Sequence, residues 1–213
     1  LHGVFRRQRQ MCIRDRGYND QKTKLKITSY QNYSPNYHLS KKMGEGYEPG
    51  ADWIEWGSGS AGWLYMYQMD GLEVYIHGYE TEFQYKLNKL IDLEGSFSAT
   101  RGENLTDNSP LYYVPPDKIL LSTEVYLSPF SINLMHKKVF SQNRVGLYEE
   151  TTPGYETYNL IGTYTIRSTQ AIHKFILQID NIFDRKYYNH LSRIKSIMPE
   201  KGRNIGFQYR LNF

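Results

Sequence analysis

"GRNIGFQYRLNF" (202–213) closes the chain, and from Ile205 onward every second residue is apolar: Ile205, Phe207, Tyr209, Leu211 and Phe213. Gly206, Gln208, Arg210 and Asn212 stand between them. A period of two puts all the apolar residues on one side of an extended strand. Chain termini fray unless tied down, so a terminal strand apolar along one whole side needs something to cover that side. The same rhythm recurs upstream in "KLKITSYQNY" (24–33), "LEVYIHGYETEFQYKL" (72–87), "IDLEGSFSATR" (91–101), "KILLSTEVYL" (118–127), "SINLMHKKVF" (131–140), "TYNLIGTYTIR" (157–167) and "IHKFILQIDNIF" (172–183). About eight strands are expected, and no long run has a helical period.

The spacing between these strands alternates. Connections over 34–71, 102–117, 141–156 and 184–202 are long, and those around Asn88–Leu90, Ser128–Phe130 and Ser168–Ala171 are short. In an up-and-down antiparallel sheet, alternate connections fall at the same end, so the long loops gather at one end and the tight turns at the other. Membrane β-barrels have this asymmetry, whereas Greek-key sandwiches have no cause to produce it. Charged residues make up 23% of the chain, and the mean hydropathy is −0.65. No stretch reaches the roughly 20 apolar residues of a membrane helix, but barrel strands average out as polar because lumen residues alternate with lipid-facing ones. The 20 tyrosines suit the aromatic belts at the two membrane interfaces. The expected fold is therefore all-β: an antiparallel up-and-down transmembrane β-barrel, present in part.

The formal charge of +4 lies in one place. Residues 1–16, "LHGVFRRQRQMCIRDR", hold five arginines, one acid and the only cysteine, Cys12, and the rest of the chain is balanced. A basic surface for nucleic acid is thus not expected. The segment lacks strand alternation and an apolar run long enough for a signal peptide, and "RQMCIRDR" resembles translated sequencing-adapter read-through. It is set apart as non-native, leaving residues 17–213 as the barrel portion.

Five stretches resemble the C-terminal barrel half of TonB-dependent outer-membrane receptors. They are "GYETEFQY" (78–85), "RGEN" (101–104) with "SPLYYVPPDK" (109–118), "EETTPGYETYNL" (149–160), "DNIFDRKYYNHLSRIK" (180–195) and "PEKGRNIGFQYRLNF" (199–213). The resemblance covers most of residues 72–213, in order. It implies an outer-membrane receptor for a metal, siderophore or haem complex, with a barrel of about 22 strands, a plug and a TonB-interacting segment ahead of this portion. Its partners would be outer-membrane lipid, the TonB complex through the missing N-terminal region, and an extracellular metal or siderophore ligand. No resident cofactor and no enzymatic activity are implied. The alternative is a complete eight-stranded barrel with a structural or adhesive role, whose first and last strands would pair with each other. An outer-membrane enzyme would need a Ser/His pair at the rim, and none stands out.

Ligand capture is expected in the long loops, because recognition sits on loops held by a rigid scaffold. In 184–202, Tyr187, Tyr188, His190 and Arg193 offer metal-ligating, ring-flanking and anion-attracting groups; the plainer reading places the tyrosines in the aromatic belt and packs His190 within the loop. Trp53 and Trp56 in 34–71 suit a flat ligand or the membrane interface equally. Tyr155 joins Glu149 and Glu150 in an acidic-aromatic group. The metal ligands are unassigned, since no dense His/Asp/Glu motif marks a site. Arg203 is expected to anchor the last loop to the rim, and Gly202 to serve a turn with positive φ.

Overall fold

The computed structural model describes residues 10–42, 54–55, 63–64, 67–146, 149–192, 194–195 and 197–213. The strands are β1 (Gln10–Asn19), β2 (Thr23–Lys42), β3 (Ile54–Glu55), β4 (Trp63–Leu64), β5 (Tyr67–Lys86), β6 (Ile91–Asn104), β7 (Ser109–Pro110), β8 (Lys118–Leu127), β9 (Phe130–Val139), β10 (Tyr155–Arg167), β11 (Ile172–Asp180) and β12 (Asn204–Asn212). One antiparallel sheet runs β1-β2-β5-β6-β8-β9-β10-β11-β12, with β7 paired to β6; β3 and β4 form a separate two-residue hairpin. Among the described residues β1 and β12 do not pair with each other, so the sheet is an open wall and not the closed eight-stranded barrel of the alternative reading.

The register turns alternation along each strand into rows across the sheet. Thr23, Tyr85, Leu93, Thr123, Leu134, Leu160, Ile179 and Ile205 stand side by side on eight successive strands. The adjacent row, on the opposite face, reads Lys86, Asp92, Glu124, Asn133, Ile161, Gln178 and Gly206. A wall with one apolar and one polar face fits lipid outside and a watery or protein-filled lumen inside, where closure leaves no unpaired backbone. Among the described residues nothing covers the apolar face: Ile205 is 65% and Phe207 70% exposed. Toward the short-turn end that face carries a band of touching rings, with Phe130 4.7 Å from Tyr164 and Phe175 5.1 Å from Tyr209.

The four tight turns lie at one end, after β1, β5, β8 and β10, and the four long connections at the other. Asp20, Asn88 and Ser168 each hold a tight turn by accepting a backbone N–H with the side chain, at 2.5, 2.8 and 3.1 Å. Short polar side chains of this kind mimic a turn of backbone and so favour tight connections.

Three expectations change. The 34–71 connection is shorter than its alternation suggests, because β2 and β5 continue to 20 residues each and stay paired to Lys42 and Tyr67. An irregularity between Ser34 and Tyr37 shifts the register there and breaks the period. About 9–11 residues cross a bilayer, so these two strands rise above it. The strand count also exceeds eight, since residues 10–16 are paired in β1 and not left outside the sheet. In β1, however, Arg14 and Arg16 lie on the row of Ser29 and Ile27, the lipid side, and Ile13 and Met11 fall on the lumen side. Its amphipathicity is inverted relative to the rest of the wall. Third, Gly202 has no positive φ. A Cβ there would lie 2.7 Å from Asp184 Oδ1, so a larger residue would displace the carboxylate that accepts the Arg203 N–H.

The buried apolar core lies at the long-loop end. Leu72 and Val74 of β5 pack with Leu111 and Val114 of the loop that follows β7. The membrane-spanning wall needs no such core, because its apolar side is solvated by lipid.

Candidate functional site

Loop residues at the long-loop end converge on Glu149. Its Oε1 lies 3.1 Å from His190 Nε2 and 3.7 Å from Lys195 Nζ. It also accepts the backbone N–H of Gly146 at 3.1 Å and of Tyr113 at 3.2 Å. One carboxylate therefore holds three long loops, those between β6 and β8, β9 and β10, and β11 and β12. The His190 N–H is not aligned for a hydrogen bond with Glu149, so that contact is chiefly electrostatic. On its other side, His190 Nδ1 lies 3.0 Å from Thr152 Oγ1 and 3.3 Å from Lys195 Nζ. An ammonium only donates, so a bond from Lys195 makes Nδ1 the acceptor and puts the proton of the neutral ring on Nε2, facing Glu149.

The cluster is dry: the side chains of Glu149, His190 and Lys195 are 4%, 1% and 9% exposed. Burial pushes the Glu149 carboxyl up, but His190, the Gly146 N–H and Lys195 outweigh it and hold it below the ordinary value. The Lys195 ammonium is pushed below its ordinary value by burial, with Glu149 and Glu150 opposing the shift. His190 thus packs within the loops, closed to solvent.

A second group lies beside the clamp. Tyr155, at the start of β10, is 8% exposed and stacks on Tyr187 with ring centres 4.3 Å apart. Lys137 Nζ sits 5.5 Å from the Tyr155 ring centre, within cation–π range. Tyr155 and Lys137 both belong to the lumen-side rows of the wall. Burial and the nearby carboxylates of Glu200 and Asp180 raise the Tyr187 hydroxyl above its ordinary value. Tyr188 is half-buried, with Lys186 Nζ 5.8 Å from its ring centre. Tyr155, Tyr187 and His190 are therefore gathered at one mouth. Arg193, Trp53 and Trp56 lie outside the described residues.

Asn181 and Asp184 shape the last long loop, and the sequence reading passed over both. Each adopts a left-handed backbone, with φ of 50° and 51°, which Asn and Asp tolerate better than most residues. Asn181 bonds the Arg185 backbone from both ends of its amide, at 2.9 Å each. Asp184 accepts the Arg203 N–H at 2.7 Å. Arg203 does anchor the loop to the rim, but through its backbone. Asx residues flanking the turn in "DNIFD" were the available signal.

Three of the other histidines lie on strands of the wall. His77 stacks on Tyr75 at 5.1 Å, and His136 lies 3.3 Å from Glu156. His38 is paired into β2 opposite Gly71. Among the described residues no group of three or more His, Cys, Asp or Glu side chains is placed to hold a metal ion.

The wall matches solved structures along nearly its whole length. The copper transporter OprC superposes on 95% of the chain with a TM-score of 0.76 and 19% identity. The chain has the fold of a transporter barrel wall. The FrpB iron transporter of Neisseria meningitidis matches 93% of it at a TM-score of 0.65 and 12% identity. The pyoverdine outer membrane receptor FpvA of Pseudomonas aeruginosa PAO1 matches 96% at 0.65 and 14% identity. The barrel wall spans about 30% of each of these chains. No family model matches the sequence.

Proposed function

We propose that this barrel wall belongs to a TonB-dependent outer-membrane receptor that takes up a metal ion or a metal chelate such as a siderophore or haem complex. The observation that carries the reading is the two-faced wall with every long loop at one end, on a fold shared with copper and iron transporters and a pyoverdine receptor. Loops at that end meet the exterior, and the tight turns face the periplasm. Energy coupling through TonB would run through parts of the receptor outside this chain.

Within the reading, Tyr155, Tyr187 and Tyr188 form the ligand platform, with Lys137 and Lys186 supplying positive charge beside the rings. Aromatic faces with adjacent ammonium groups suit a flat anionic chelate better than a bare cation, which would need a denser set of donors. Arg193, Trp53 and Trp56 join this proposal on sequence grounds alone. His190 would reach a ligand only after the Glu149 clamp opens.

The test is uptake by cells carrying the full-length receptor, using iron-55 presented as a catecholate chelate, a hydroxamate chelate or haem, and copper-64 as the free ion. Energy-dependent accumulation of one of these, lost when TonB is deleted and reduced at least about tenfold by Tyr155→Ala with Tyr187→Ala, is expected. Uptake that ignores TonB, or no accumulation of any of the four, overturns the receptor reading.

A further inference from the structure

On the lipid side of the wall, two glycines occupy rows otherwise filled by large side chains. The Phe83 ring lies over Gly95 and fills its place. Gly162 is different: a Cβ there would meet nothing within 4 Å. It is paired with Ile132 on one side and Leu177 on the other, and Phe207 follows Leu177 along the row. The result is a notch of about 320 Å³ walled by Phe130, Ile132, Tyr164, Phe175, Leu177 and Phe207. An apolar recess walled by rings and branched chains loses dispersion contacts unless an apolar group fills it.

Four residues from Leu177 toward the tight-turn end of the same face stands His173. That is about 13 Å along the strand. His173 Nδ1 lies 2.8 Å from the Tyr209 hydroxyl, their ring centres 6.1 Å apart. If the hydroxyl donates to Nδ1, the neutral imidazole carries its proton on Nε2. Among the described residues Nε2 has no partner. A hydrogen-bond donor on the outer face, at the level where rings meet the interface, stands above an apolar recess within reach of one lipid chain.

We infer that this face holds a phospholipid of the periplasmic leaflet, one acyl chain lying in the Gly162 notch and the headgroup phosphate accepting from His173. The notch is continuous with the lipid-facing surface, so its occupant comes from the bilayer itself. The inference rests on the outer-membrane placement proposed above.

The test is native mass spectrometry of the full-length receptor reconstituted in vesicles of phosphatidylethanolamine and phosphatidylglycerol, three to one, then released in detergent and washed. One retained phospholipid per protein is expected for the parent. Gly162→Leu should lower that occupancy by about tenfold, and His173→Ala by about threefold. Gly206→Leu is the control, because Gly206 lies on the lumen side and a Cβ there also meets nothing within 4 Å; it should leave occupancy unchanged. Heat-shifted gel mobility checks that each variant is folded, and Gly162→Val replaces the leucine variant if that one is not. Equal occupancy in the parent and the filled variant, equal loss in the Gly206 control, or no retained lipid in the parent overturns the inference. A protein that never enters the vesicles overturns the outer-membrane reading instead.

Discussion

Replacing Glu149 with glutamine is expected to free three external loops together. The substitution removes the charge that faces Lys195 and His190, leaving a nearly buried ammonium without its counter-ion. Breaking one side of a buried pair costs about 3 kcal/mol or more, and at a loop rim that cost appears as local opening before global unfolding. Hydrogen exchange in the full-length receptor should therefore accelerate by about a hundredfold at residues 111–114, 144–146 and 187–192, while the amides of β8 and β9 keep their protection. Acid should produce the same effect in the parent. Because the folded carboxyl titrates below its ordinary value, its contribution is fully present above the unfolded pKa and is lost as pH falls through the folded one. The three segments should lose protection together below the ordinary glutamate range. Exchange that accelerates in one loop only, or not at all, would mean that Glu149 is not what joins them.

The second large effect compares two adjacent leucines. Leu120 and Leu121 in β8 are almost equally exposed, at 37% and 42%, so an account that ignores the membrane gives arginine the same cost at both. Their rows differ. Leu121 lies between Gly95 and His136 on the lipid side, and Leu120 between Ser96 and Lys137 on the lumen side. Arginine on a lipid-facing position costs about 2–4 kcal/mol at the bilayer midplane and less toward the interfaces. Leu121→Arg should thus destabilise the receptor by about 2 kcal/mol in guanidinium unfolding from vesicles. Leu120→Arg should stay within about 1 kcal/mol of the parent, most of that from the nearby Lys137. Reversal of the two would place the lumen on the wrong face.

Mid-wall strands and the tight turns at Asn88–Leu90, Ser128–Phe130 and Ser168–Ala171 were legible in the sequence, because lipid and lumen impose a period of two and the short connections alternate with long ones; the turn at Asp20 was missed along with β1. Two features were not. The Ser34–Tyr37 irregularity interrupts the period, which hid the upper halves of β2 and β5. β1 was hidden because its arginines fall on the row where the rule demands apolar residues. The candidate site was legible only as a set of residue types. Tyr155 and Tyr187 are far apart in the chain and are brought together by the pairing of β10 with β9 and β11 and by the fold of the last loop. The Glu149 clamp needs three loops folded at once, and no local pattern announces a contact of that kind. Asn181 and Asp184 show the reverse case, since their left-handed conformations follow from residue type and the sequence reading did not use it.

Spin labels placed singly along residues 118–127, with Cys12 replaced by serine, test directly whether lipid and lumen set the two-residue rhythm of this wall. In vesicles, labels at 119, 121, 123 and 125 should collide with oxygen dissolved in the bilayer, and labels at 120, 122, 124 and 126 with a water-soluble nickel chelate. A strand whose labels show no alternation, or whose odd-numbered positions are the wet ones, would contradict the account.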